Sequence, residues 1–244
     1  MNQFNDNYNL NRTDTRALSN TFVSNVFLWM FAALGITAAT AFLFANNDVL
    51  FSSLIQITPN GGAKVSTLGW IVTFAPFIIV LIMSARTHKM SVQSMVLCYV
   101  AYSILMGMSL SFIFWAYTSA SIFKTFIITA GMFGVMAVVG YTTKTDLTRF
   151  GSILMMALIG IIIATLVNFF MHSATLDYVI SIIGVLIFTG LTAFDIQKIR
   201  QIGKAGINDG EVMAKLTIHA ALTLYLDFIN LFLYLLRFFG NSRD

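Results

Sequence analysis

The sequence predicts an all-α integral membrane protein with seven transmembrane helices. Two observations carry this: 58% of the 244 residues are hydrophobic and only 10% are charged, and the apolar residues gather into seven long runs separated by short polar stretches. Soluble domains carry about 25% charged residues, and a water-soluble chain of this size could not cover its surface with so few. One span needs about 20 apolar residues, so the length suits seven helices with short loops. No linker, low-complexity tract or long repeat interrupts them, and the chain reads as one domain, residues 22–240, behind a polar tail, residues 1–21.

The tail holds Asn2, Asn5, Asp6, Asn7, Asn9, Asn11, Asp14 and Arg16 and is expected to be a short, poorly ordered cytoplasmic segment. The run behind it is too long for a signal-peptide core and lacks a convincing cleavage site. Span one is expected over Phe22 to Ala45. A polar stretch with Asn46, Asn47, Asp48, Pro59, Asn60, Gly61 and Gly62 follows, and its apolar piece, Val49 to Ile57, is too short to cross. Span two is Leu68 to Ala85, with Pro76 as a possible kink, and ends at Arg86, His88 and Lys89. Span three is Val92 to Tyr117, and span four, Phe123 to Tyr141, is followed by Lys144, Asp146 and Arg149. Span five is Ile153 to Met171 and span six Tyr178 to Ile199. A loop with Lys204, Asp209, Gly210, Glu211 and Lys215 leads to span seven, Leu216 to Phe239.

Seven spans put alternate loops on opposite sides. With the N-terminus inside, the inner segments hold Arg12, Arg16, Arg86, Lys89, Lys144, Arg149, Lys198, Arg200, Lys204 and Lys215, and the outer ones Lys64, Lys124, Arg237 and Arg243. Basic residues favour the cytoplasmic side, so N-in, C-out is expected; a re-entrant span seven would return the C-terminus inside. The net charge of +4 is accounted for by these loops, so nucleic acid is not expected as a partner. The single cysteine, Cys98, permits no internal disulfide and reads as a packing residue. Ser103, Gly107 and Ser111 on span three, and Ala130 and Gly134 on span four, recur every four residues, the spacing for close helix packing in a bilayer. The abundant Met and Phe serve packing and lipid contact, and no cofactor is implied.

Ionisable groups inside a span are costly and mark function by default. Asp195 in span six and Asp227 in span seven qualify, each at about 2.5–3.5 kcal/mol near mid-membrane. Thr223, Asp227, Asn230 and Tyr234 form one helical stripe, which predicts that span seven lies inside the bundle. Thr165, Asn168 and His172 form a similar stripe on span five; they either line the same cavity or make hydrogen bonds between helices. Two carboxyls in a dry interior cannot both ionise cheaply and would share one proton; the alternative is two separate acids, each with its own donor. One geometric difficulty stands. Asp195 is five residues before Arg200 and Asp227 is twelve after Lys215, a depth difference of roughly 10 Å at 1.5 Å per residue. Pairing therefore requires span seven to project from the membrane at its start, or to tilt. Arg86, at the inner end of span two, is the natural cationic partner or else an interfacial anchor.

Spans six and seven resemble the Bax inhibitor (transmembrane Bax-inhibitor-motif) family in its bacterial branch. The resemblance rests on Phe188-Thr189-Gly190 through Ala193-Phe194-Asp195-Ile196-Gln197-Lys198-Ile199 and on Leu224-Tyr225-Leu226-Asp227-Phe228-Ile229-Asn230-Leu231-Phe232-Leu233. Ala101-Tyr102 and Gly107-Met108-Ser109-Leu110-Ser111 in span three are similar to it as well. It implies six helices around a central seventh, a location in the bacterial inner membrane and a pH-sensitive calcium leak. By it, Asp195 and Asp227 are a proton-sharing pair and transient calcium ligands, and Arg86 is a latch on the span-six aspartate. The alternative it implies is a regulator bound to a membrane protease.

Other classes are weaker. An intramembrane aspartyl protease also needs two aspartates on adjacent spans, but Asp195 follows Ala193-Phe194 rather than a Gly-x-Gly. A retinal protein needs a lysine inside the last helix, and Leu216 to Phe239 contains none. The phosphate-binding, zinc-protease and hydrolase signatures are absent, and His88, His172 and His219 are too scattered for a metal site. The expectation is a protein that is not an enzyme, with calcium ions, protons and the lipid bilayer as its partners.

Overall fold

A computed structural model describes residues 2–57, 63–87, 89–205, 207 and 209–241; of residues 2–18, Ile57 and Ala63 it describes the backbone alone. Pro59, Asn60, Gly61, Gly62, His88 and Arg243 lie outside the described residues. The elements are α1 (Asn2–Ala45), α2 (Asp48–Leu54), β1 (Ile55–Ile57), β2 (Ala63–Val65), α3 (Thr67–Arg86), α4 (Val92–Leu110), α5 (Ile113–Ala116), α6 (Ser119–Thr142), α7 (Thr148–Met171), α8 (Ala174–Lys204) and α9 (Gly210–Phe239). Among the described residues, seven stretches are long and apolar enough to cross a membrane, with α4 and α5 together making the third. The fold is an all-α membrane bundle, as the hydropathy predicts.

Local sequence explains where the helices begin. Ser66, Ser91, Thr118, Ser173 and Asp209 each accept a hydrogen bond from a backbone N–H of the first turn they cap, satisfying donors that have no partner inside the helix. Asp146 accepts from both the N–H and the hydroxyl of Thr148 at the start of α7, and these bonds hold its carboxyl below the usual carboxylate range. Helix α7 ends at His172, whose φ of 51° turns the chain in the left-handed region.

One expectation needs correction, and two others gain detail. The polar segment ahead of span one continues α1, whose helix starts at Asn2. The apolar piece after span one is a short helix followed by a strand, with β1 and β2 pairing antiparallel through Gln56 and Lys64. Span seven carries no break of the kind a re-entrant segment needs: α9 is one unbroken helix of 30 residues, about 45 Å long at 1.5 Å per residue, long enough for a crossing.

Helix α9 is the centre of the bundle. Of its most apolar stretch 67% is buried, against 11% for α7. It packs on α8, α1, α6 and α4, and its Tyr234 comes close to Thr165 of α7. The peripheral helices are inverted relative to a soluble protein, with Phe169, Phe170, Ile159 and Leu166 of α7 exposed, as a bilayer-facing surface requires.

Small residues allow two close approaches. A Cβ on Gly107 would lie 2.6 Å from Thr37 O, and one on Gly140 would collide with Ala193 O. Gly107 therefore lets α4 meet α1, and Gly140 lets α6 meet α8 two residues before Asp195. Ser103 and Ser111 are fully buried on the same face as Gly107, so the span-three stripe is a packing stripe. The span-four stripe is not. Ala130 and Gly134 are exposed, with open space around Gly134, and α6 turns Thr125, Thr129, Phe133 and Gly140 inward.

Gly140→Ala is expected to destabilise the bundle by about 1–3 kcal/mol through overpacking, and Gly134→Ala to be neutral or to stabilise by up to about 1 kcal/mol through helix propensity. Unfolding midpoints in detergent check both; equal effects would refute this assignment of faces.

Candidate functional site: a buried carboxyl pair

Asp195 and Asp227 meet. Their side chains are hydrogen-bonded to each other, Asp195 half-buried on α8 and Asp227 only 4% exposed on α9. Two carboxylates offer acceptors only, so this bond requires a proton on at least one of them. Asp227 Oδ2 is buried, and no backbone N–H, side-chain nitrogen or Ser, Thr or Tyr hydroxyl among the described residues reaches it.

The depth difficulty resolves through the length of α9. Helix α8 runs from Asp195 to Lys204, about 14 Å, whereas α9 begins at Gly210, about 26 Å before Asp227. The difference lies in the first turns of α9, whose first residues, Gly210, Glu211 and Val212, are exposed. Glu211 and Lys215 pair at 2.8 Å on this segment. The chain ahead of span seven is thus its own first turns.

The cation that acts on Asp195 is Lys198, one turn along α8, and the same charge reaches His219 on α9. Lys198 is exposed, and His219 half-buried. With Asp195 and Asp227 they form a titratable cluster between α8 and α9. Sequence reasoning passed over both: Lys198 counts among loop charges, and a lone histidine carries no pattern. The available signal was register, since His219, Thr223 and Asp227 recur every four residues on one face of α9. Arg86 is elsewhere, exposed at the end of α3, and among the described residues it makes no ion pair with Asp195.

The predicted polar stripe divides. Tyr234 meets Thr165 of α7 and stacks on Phe188 of α8 at 5.8 Å. Arg237, one turn further, pairs with Asp177 at 3.1 Å. Thr223 and Asn230 are half-buried and donate to the carbonyls of His219 and Leu226 on their own helix. Asn168 accepts from Ser173 N across the α7–α8 turn, and His172 is exposed in that turn. These two serve the connection rather than a cavity wall. A cavity of about 280 Å³ does lie in the bundle, but none of these stripe residues borders it; its α9 wall is Phe228, Ile229 and Phe232.

On another face of α9, Tyr225 is sealed among Tyr99 and Tyr102, with ring centroids at 6.4 and 5.3 Å. Thr37 Oγ1 donates to Ser103 O at 2.9 Å and accepts from the Tyr225 hydroxyl at 2.8 Å. This joins α1, α4 and α9 and fixes the rotation of the central helix. No group of three His, Cys, Asp or Glu side chains able to hold a metal ion exists among the described residues, so any cation at the pair would have two carboxyls as its acidic ligands.

A helical bundle of this kind, with paired acids between its central helix and a neighbour, defines a class of polytopic membrane protein rather than a soluble enzyme fold. The chain belongs to the family described as "Inhibitor of apoptosis-promoting Bax1", which matches residues 19–244. It is 44% identical to the inner membrane protein YbhL of Escherichia coli K12, over 93% of this chain and 94% of that one. It is also 43% identical to an uncharacterized protein of Borreliella burgdorferi, over 93% and 94% of the two chains. An uncharacterized protein of Deinococcus radiodurans is 38% identical over 92% and 91%.

Thr37→Val is expected to cost about 1–3 kcal/mol, because the buried Tyr225 hydroxyl loses its acceptor. Adding Tyr225→Phe should cost less than the two single changes summed. Unfolding midpoints of the four proteins test this; additive costs would break the link.

Proposed function

We propose that this protein is a passive cation pathway, with calcium as its cargo, whose conductance follows the protonation of the Asp195–Asp227 pair. The observation that carries the reading is the hydrogen bond between two carboxyls on two different helices, one of them the bundle's centre. Losing the bridging proton places two negative charges side by side in a low-dielectric site; adding a second removes the remaining charge. Either change alters the force between α8 and α9, so one proton equilibrium acts on the central helix. Carboxyl oxygens suit hard cations, and two acidic groups with no third acidic, His or Cys ligand beside them among the described residues fit transit better than residence. The chain sits N-terminus inward in the bacterial inner membrane, in keeping with its basic loops and with the printed name of its relative.

Lys198 and His219 are the groups through which this pair exchanges protons with the inner side. Arg86 acts as a latch in a second conformation, reached when the inner end of α3 approaches α8. No catalytic step enters this reading.

Calcium flux into proteoliposomes tests it. Flux through the unaltered chain is expected to change with pH by at most about tenfold per unit, the limit for one proton. Asp195→Asn and Asp227→Asn should each flatten that profile, and unchanged profiles in both variants would end the proposal. Absence of flux in the purified protein, together with co-purification of a membrane protease, would favour the regulator instead.

Arg86→Gln separates the latch from an anchor. Its exposure predicts a stability change within about 0.5 kcal/mol, while a latch predicts a displaced flux–pH curve. An undisplaced curve removes Arg86 from the mechanism.

A further inference from the structure

The cavity of about 280 Å³ has a different chemistry from the carboxyl pair. It is bordered by Leu34, Ala38 and Phe42 of α1, the α4–α5 turn and Phe126 of α6, and its floor is Phe228, Ile229 and Phe232 of α9. At 100° per residue, this floor lies on a face of α9 roughly opposite Thr223, Asn230 and Tyr234. We propose that it is a binding site for an acyl chain of a bilayer phospholipid, entering sideways between α1 and α6.

Three observations point to that occupant. The first is polarity: the one hydroxyl on the wall, Thr37 Oγ1, already donates to Ser103 O and accepts from Tyr225. A buried water needs two to four polar partners, and this wall offers none, so hydrocarbon fits and water does not. The second is size. An apolar cavity of about 150 Å³ suffices to take up benzene, and this one is nearly twice as large. Left empty, its walls would forgo their dispersion contacts.

The third is access. Phe42 is 62% exposed and Phe126 39%, Ala38 on the same lining is exposed, and their neighbours in sequence Leu43 and Phe123 are exposed too. The mouth is thus continuous with the surface that faces the bilayer, where acyl chains are the solvent. The Phe126 ring stands edge-on to Phe228 and Phe232, with centroids at 5.5 and 6.3 Å, so a rotamer change at one lipid-facing side chain widens the route to the central helix.

The experiment uses the full chain in proteoliposomes containing a phosphatidylcholine with a photoactivatable diazirine in its acyl chain. After irradiation, labelled positions are mapped by peptide mass spectrometry. Ile229 and Phe232 are 4% and 5% exposed, so lipid that only coats the protein cannot reach them. Exposed α7 residues such as Ile159 and Phe170 report that outer coat. The expected result is labelling of α9 at 228–232 together with α7, and loss of the α9 label alone in Ala38→Trp, which fills the mouth. Labelling of α7 without α9 in the unaltered chain overturns the proposal, and needs no variant to fold. So does an α9 label that survives in Ala38→Trp while α7 labelling is normal. Neither readout depends on ion flux, so the site stands or falls separately from the proposed conductance.

Discussion

A hydrogen bond between two acids is a demanding object to place inside a protein. It needs a proton, it needs the two helices in contact at matched depth, and it needs surroundings that keep the charge from escaping to water. Each demand is visible in the architecture. Contact around the α8 acid is secured by Gly140, whose missing side chain lets α6 lie against the α8 backbone at Ala193. Depth is matched by the extra turns with which α9 begins. Dryness comes from making α9 the most buried helix of the bundle. In a bilayer no hydrophobic force pulls helices together, so association rests on close packing and on polar contacts between helices. The carboxyl pair and the Thr37–Ser103–Tyr225 link are two such contacts, and both converge on α9.

Much of this was legible in the sequence, for reasons that also define the limit. Every span was readable because a bilayer requires about 20 apolar residues in a row, a signal that survives without any knowledge of neighbours. Asp195 and Asp227 stood out because charge in such a run is rare and costly. The placement of α9 followed from a polar stripe on an apolar helix. What failed to appear depends on how helices face one another. Ser103-Gly107-Ser111 and Ala130-Gly134 have the same spacing, yet the first faces α1 and the second faces outward. Four-residue spacing states that a face exists and leaves open which way it points.

The same limit explains the cations. Arg86, Lys198 and Arg237 are all basic residues near helix ends, and residue type gives no means of ranking them. Rotation and register decide. Lys198 falls one turn from Asp195 on the same helix, Arg237 falls opposite Asp177, and Arg86 falls on an exposed end of α3. The hairpin of β1 and β2 was hidden for a different reason: its strands are three residues each, too short for an alternating pattern to register.

The two faces of α9 are joined by rigidity. Asp227 and Phe228 are consecutive, one turned to α8 and the other to the apolar cavity. A helix turns as a unit because its backbone hydrogen bonds fix each residue relative to the next. Rotating α9 by about 20° moves each Cα roughly 0.8 Å on its cylinder of about 2.3 Å radius. That displacement is enough to stretch a hydrogen bond beyond its working range, and it must move Phe228, Ile229 and Phe232 by the same angle. A cavity beside them gives those rings somewhere to go, whereas a close-packed wall would resist at the cost of overpacking. A change in the proposed carboxyl switch and a filling of the proposed lipid cavity would therefore act on one coordinate, the rotation of α9, and a molecule lodged in the cavity would oppose any rotation that drives those rings into it.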